Sequence, residues 1–113
     1  MGVFADALSV PTQALALRAE RAQLIASNLA NADTPNYQAR DIDFRALMMN
    51  ERRAVTDADR KYRVPLQPSL DGNTVESHVE QMAYTENAIR YQGTVAMMNA
   101  RIRGMLTAIT GGS

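Results

Sequence analysis

No cysteine and no tryptophan occur among the 113 residues, which excludes disulfides, thiolate metal sites and thiol nucleophiles and leaves the redox compartment open. Aromatic residues make up only 5% of the chain, so a core has to be built from Ala, Leu, Met, Val and Ile, side chains that suit helix packing. Charge of one sign is also missing. Twelve Lys and Arg balance twelve Asp and Glu, leaving no bulk electrostatic drive toward nucleic acid or an anionic membrane. No stretch approaches the roughly 18 to 20 apolar residues that span a bilayer. Met1 to Val10 lacks the basic start, apolar run and cleavage site of a secretory signal. The length suits one domain and is too short for most large catalytic architectures.

Catalytic chemistry is equally sparse. His78 is the one histidine, and Glu76 and Glu80 stand two residues away on either side, off its helical face. Metal ligands on a helix sit three or four apart. Ser9, Ser27, Ser69, Ser77 and Ser113 lack a nucleophile-elbow context, and Asp41 and Asp43 have no rigid cleft to separate their pKa values. No glycine-rich phosphate loop is present. The expectation is no catalytic residue, no cofactor and no metal: the chain reads as a non-enzyme.

What is present is helical periodicity. Leu8, Leu15, Ala19, Ala22, Ala26 and Leu29 recur at steps of three, four or seven, with Leu17, Leu24 and Ile25 widening the stripe. Pro11 fits the first turn of a helix, so a helix is expected over 11–32 with residues 1–10 as a flexible arm. Asp33-Thr34-Pro35-Asn36 is a turn. A polar connector with little core is expected over 33–72; from Tyr37 to Leu70 the periodicity lapses, and that stretch holds Arg40, Arg45, Arg52, Arg53, Arg60, Lys61 and Arg63 among five acids. A second helix is expected over 73–110, with Asn73 as its cap and Glu76 closing a capping box. Along it Tyr84, Ala88, Tyr91, Val95, Met98, Ile102, Met105 and Ile109 alternate steps of four and three, a coiled-coil seam. Val75, Val79, Met82, Ile89, Ala96 and Ala100 form a second stripe on a neighbouring face. One partner helix cannot cover both.

The fold class implied is all-α: two long antiparallel terminal helices in a coiled-coil-like hairpin, joined by an irregular middle segment, in a single domain. The second helix, roughly 55 Å long against roughly 30 Å for the first, outruns a compact globule about 34 Å across. Apolar surface must therefore remain open, which marks an interface. Gly93 and Gly104 suit close backbone approach. The expected packing residues are Leu15, Ala22, Ala26, Leu29, Val95, Met98, Ile102 and Met105. The turn rests on Asn31, Thr34, Pro35, Asn36 and Tyr37.

The run from Ala14 to Phe44, ALALRAERAQLIASNLANADTPNYQARDIDF, resembles the N-terminal segment of flagellar basal-body rod proteins, as do LDGNTVESHVE (Leu70 to Glu80) and ENAIRYQ (Glu86 to Gln92). Asn36 replaces the glycine common in that family, Glu76 replaces Asp, and the middle segment is short. The resemblance implies a structural subunit of the proximal rod. Such a subunit would be exported through the flagellar type III apparatus without a cleaved signal and polymerise through its terminal helices. It also implies as partners other rod subunits, both FlgC-like and self, the adaptor FliE and the export-gate proteins, with the product crossing the periplasm in the basal body. Folding would be coupled to assembly. Two other readings compete: a helical dimeric regulator binding nucleic acid through Arg52 to Arg63, and a metal-assisted hydrolase built on Glu76, His78 and Glu80.

Overall fold

Val3–Ala30 winds into one helix, α1, so the start expected at Pro11 is corrected to Val3. The computed structural model describes residues 2–49, 59–63, 65 and 69–111, with the side chains of residues 3–5 left out. An internal proline normally interrupts a helix because it has no N–H for the carbonyl four residues back. Here that carbonyl belongs to Ala7, and Arg101 Nη1 from the other end of the chain donates to it at 3.0 Å. The Pro11 ring is fully buried. A tertiary contact thus supplies the bond the proline cannot make.

After α1 the chain turns through residues 31–37 and enters a small antiparallel ladder. Strand β1, Arg40–Ile42, pairs with β2, Arg60–Tyr62, with Arg40 opposite Tyr62 and Ile42 opposite Arg60. Between them lies the short helix α2, Phe44–Met49, started by Asp43, whose Oδ1 accepts from the Ala46 N–H at 3.2 Å. The connector contributes more to the core than its polar composition suggests. Ile42 and Leu47 cluster with Leu17 and Leu24 of α1, Phe44 and Met48 pack against them, and Ala39 is fully buried.

Helix α3, Ser77–Ile109, returns antiparallel along α1 and makes the largest interface in the molecule. The expected start at Asn73 is corrected to Ser77. Glu76 occupies the cap position without a side-chain cap bond, because Asn73 is committed elsewhere. The molecule measures 64 × 24 × 18 Å with a radius of gyration of 18.0 Å. A compact chain of this length would have a radius near 13 Å. The result is an elongated helical hairpin.

Of the α1 residues in the core, Leu17, Leu24 and Ile25 are those that widen the stripe read from periodicity, and Ala14 joins them, whereas the alanine-rich row itself stays outside. Their row lies roughly a third of a turn away from it. Large aliphatic side chains bury more area than alanines, and they decide which face turns inward.

Candidate subunit interface and the polar clasp beneath it

The two terminal helices are joined by polar side chains. Asn28 is fully buried, and its Nδ2 donates to the Arg40 carbonyl at 2.9 Å and to Glu80 Oε2 at 3.2 Å. Its Oδ1 accepts from the Arg40 N–H at 3.1 Å, so the side chain pairs with a strand residue as another strand would. Glu80, also fully buried, takes its second partner from Arg63 Nη1. Arg63 Nη2 in turn reaches Asp41 Oδ2 at 2.6 Å, and Asp41 is gripped from the other side by Arg21 at 3.0 and 3.1 Å. Arg60 pairs with Glu20 at 2.6 Å. One guanidinium from the connector therefore sits between a carboxylate of β1 and a carboxylate of α3.

Burial pushes the Asp41 carboxyl upward, but the hydrogen bonds and charge of Arg21, with the Arg63 bond and the Ile42 N–H, outweigh it and hold the group below its ordinary value. A carboxyl whose pKa is depressed by folding stabilises the fold above its unfolded pKa, and that contribution is lost as pH falls through the folded value. The melting temperature is expected to stay level from about pH 7 to 5 and to drop below about pH 4, the ordinary Asp range. Asp41→Asn should flatten this acid limb in a series of thermal melts.

At the end of the hairpin two turns are fastened to each other. Asn73 Nδ2 donates to the carbonyls of Asn31, Ala32 and Thr34 at 2.9, 3.0 and 2.7 Å, while its Oδ1 accepts from the Val75 N–H at 2.7 Å. It therefore closes the C-terminus of α1 instead of opening α3, since free carbonyls at a helix end need donors. Asn31 Nδ2 bonds the Ser27 carbonyl and Thr34 Oγ1 bonds Asn31 Oδ1. Asn36 takes the left-handed conformation at φ 65°, its N–H bonds the Asp71 carbonyl at 2.8 Å, and the Tyr37 carbonyl accepts from the Thr74 N–H at 2.9 Å. Pro35 is exposed within this turn.

Gly72 lies across from Asn36 at φ 75°, and a Cβ there would collide with Asn36 Oδ1. Gly72→Ala is expected to cost about 2 kcal/mol, from the left-handed penalty of about 1–2 kcal/mol together with the displaced Asn36 side chain. Asn36→Gly should be close to neutral. Urea denaturation of both variants checks the pair.

Above this clasp the apolar surface stays open. On the coiled-coil seam Tyr84, Tyr91, Ile102 and Ile109 are exposed, and on the second stripe Met82 and Ile89 are 71% and 66% exposed. Of the packing residues expected from the sequence, Leu15, Ala22, Leu29, Val95, Met98 and Met105 are half-buried, whereas Ala26 and Ile102 are exposed. None belongs to the buried core of the single chain. A polar row at multiples of seven residues reaches α1: Glu80 bonds Asn28, Asn87 Nδ2 donates to the Arg18 carbonyl at 2.9 Å, and two heptads further on Arg101 bonds Ala7. Sequence reasoning missed this row because it followed the apolar heptad beside it. The signal was there, in polar residues repeating with the same period as the seam.

Among the described residues, the groups that the competing readings rest on face different ways or are engaged within the chain. Glu80 points into the clasp while His78 is exposed. No group of three His, Cys, Asp or Glu side chains able to hold a metal occurs among the described residues. In the basic connector Arg60 and Arg63 are spent on carboxylates, so they are not offered to phosphates. Arg52 and Arg53 lie outside the described residues. No helix among the described residues is long and apolar enough to cross a membrane.

Comparison with known proteins gives the family. Residues 8–38, which hold most of α1 and the turn after it, match the model of the family described as flagella basal body rod protein. The chain is 48% identical to the flagellar basal body rod protein FlgB of Cereibacter sphaeroides, covering 96% of this chain and 97% of that protein. It is 37% identical to FlgB of Escherichia coli and 38% identical to FlgB of Salmonella typhimurium, in each case over 95% of both chains. The chain belongs to the FlgB family of flagellar basal body rod proteins. It is a structural subunit of the rod, its place is the flagellar basal body, and it assembles with other rod components.

Proposed function

We propose that this chain is a non-enzymatic subunit of the proximal rod, exported through the flagellar type III apparatus, that polymerises through its two terminal helices. Its neighbours are further copies of itself, FlgC-like subunits, the adaptor FliE and the export-gate proteins. The observation that carries the reading is the division of labour on α3: the polar row at Glu80, Asn87 and Arg101 is spent within the chain, while the apolar seam at Tyr84, Tyr91, Ile102 and Ile109 remains uncovered. Exposed apolar area of this extent is stabilised when another surface covers it. Leu15, Ala22, Ala26, Leu29, Val95, Met98, Ile102 and Met105 line or border that surface and pack against neighbours. Residues 31, 34, 35, 36 and 37 hold the end of the first helix in register.

Deletion of the gene in a motile host, followed by electron microscopy of isolated basal bodies, tests the reading. Rings without a rod are the expected result, and Ile102→Glu introduced into the same host should give the same defect. A complete rod in the deletion strain would refute the assignment. Purified Ile102→Glu should keep native far-UV circular dichroism, because the residue lies outside the single-chain core.

A further inference from the structure

Beside the seam, the groove between α1 and α3 holds two buried polar atoms with no hydrogen-bond partner among the described residues, Asn87 Oδ1 and Arg18 Nε. Asn87 is 2% exposed. Its Nδ2 is committed to the Arg18 carbonyl, which settles the orientation of the amide and leaves the oxygen without a donor. The Arg18 guanidinium stacks over the Phe44 ring, 4.0 Å from its centroid, and that contact offers Nε no acceptor. A buried polar atom without a partner costs about 1–3 kcal/mol. Asn28, one helical stretch away, shows that this fold otherwise fills the capacity of its buried amides. The groove encloses about 340 Å³, with Ala19, Ala22 and Ala88 as small walls and Tyr84 and Tyr91 at its rim.

One unmet donor and one unmet acceptor on residues that line the same groove constrain the chemistry of the occupant. A carboxylate brings only acceptors and a cationic side chain only donors; a hydroxyl brings both on one atom, whereas a carboxamide sets an acceptor and a donor on separate atoms of one planar group and can face two partners at once. The helices of this same chain present exposed carboxamides at Gln23, Gln81, Gln92 and Asn99.

We propose that this groove is a socket for an Asn or Gln side chain on a helix of a second copy of the chain, its carbonyl accepting from Arg18 Nε and its NH2 donating to Asn87 Oδ1. Both atoms are closed off from solvent in the single chain, so rim side chains turn aside as the neighbouring helix seats. The socket gives an otherwise slippery apolar contact a fixed register, as a lone polar residue does in a coiled coil. The inference rests on the reading of the chain as a self-associating rod subunit.

Sedimentation equilibrium of the full chain, native and variant, over a wide concentration range is the test. Asn87→Leu and Arg18→Met are each expected to weaken self-association roughly tenfold, the worth of one hydrogen bond of about 1.4 kcal/mol. The double variant should lose less than the product of the two, because one amide serves both sides. Among Gln23→Met, Gln81→Met, Gln92→Met and Asn99→Leu, one should reproduce the loss. If Asn87→Leu lowers helix content by freeing the Arg18 carbonyl, Arg18→Met carries the test, since the Arg18 side chain makes no hydrogen bond among the described residues. Self-association at native strength in both single variants, or in all four surface variants, would overturn the socket while leaving the rod reading intact. A native chain that stays monomeric at every concentration would overturn self-association itself, a distinguishable failure.

Discussion

Arg63→Met is expected to destabilise the chain by about 3–5 kcal/mol, the usual cost of removing one member of a buried ion pair. The side chain has similar length, so packing loss is small and the effect isolates the charge. Without Arg63, the fully buried Glu80 keeps Asn28 as a hydrogen-bond donor but loses its counter-charge, and Asp41 keeps Arg21 and the Ile42 N–H. Glu80→Gln in the Arg63→Met background should recover much of the loss, because a neutral amide needs no counter-charge. A packing defect would show no such rescue. Equilibrium urea unfolding of the two singles and the double measures the coupling directly. If Arg63→Met cost under about 1 kcal/mol, the clasp would have to be regarded as a surface ion pair of the weak kind.

Asn28→Leu has the next largest effect. It strips partners from the Arg40 N–H, the Arg40 carbonyl and Glu80 Oε2 at one stroke, at about 1–3 kcal/mol for each group left buried and unpaired. A total near 4 kcal/mol is expected, with partial relief where the strand shifts toward water. Asn28→Asp gives a signature of opposite sign to the acid limb of Asp41. It sets a second carboxylate against Glu80, and like charges at this range raise the pKa of the pair. A group whose pKa is raised by folding stabilises the fold at low pH, and that contribution is lost as pH rises through the folded value. Asn28→Asp should therefore melt higher at pH 5 than at pH 7, whereas the native chain is level across that span.

Both substitutions act on the same physical arrangement. The terminal helices bind each other through amides, carboxylates and backbone carbonyls, interactions with strict geometry, and leave part of their apolar seam, at Tyr84, Tyr91, Ile102 and Ile109, open to other surfaces. Directional bonds set the register of the hairpin, while apolar area carries no such restriction and can be covered by whichever neighbour the assembly supplies. That separation leaves the apolar packing to be completed by a covering surface.

Much of this was legible in the residues. The two long helices, the turn at Thr34-Pro35-Asn36 and the surplus of apolar surface follow from periodicity and turn chemistry, which act over a few residues. The boundaries at Pro11 and Asn73 were misread for a common reason. Pro11 leaves the Ala7 carbonyl without its helical donor, and the group that takes its place, Arg101, lies 94 residues further along the chain. Asn73 suits a cap, but the carbonyls it satisfies belong to the preceding helix.

By itself, then, the sequence determined the helical class, the length that outruns a compact globule, and the family, because each is written in local spacing or in contiguous motif. Only the tertiary structure decided which face of each helix turns inward. An apolar heptad and a polar heptad run side by side on α3, and both are compatible with burial. The polar one wins inside the chain because Asn28, Arg63 and the carbonyls of Arg18 and Ala7 converge on it from distant positions, and hydrogen-bond partners that distant leave no trace in spacing.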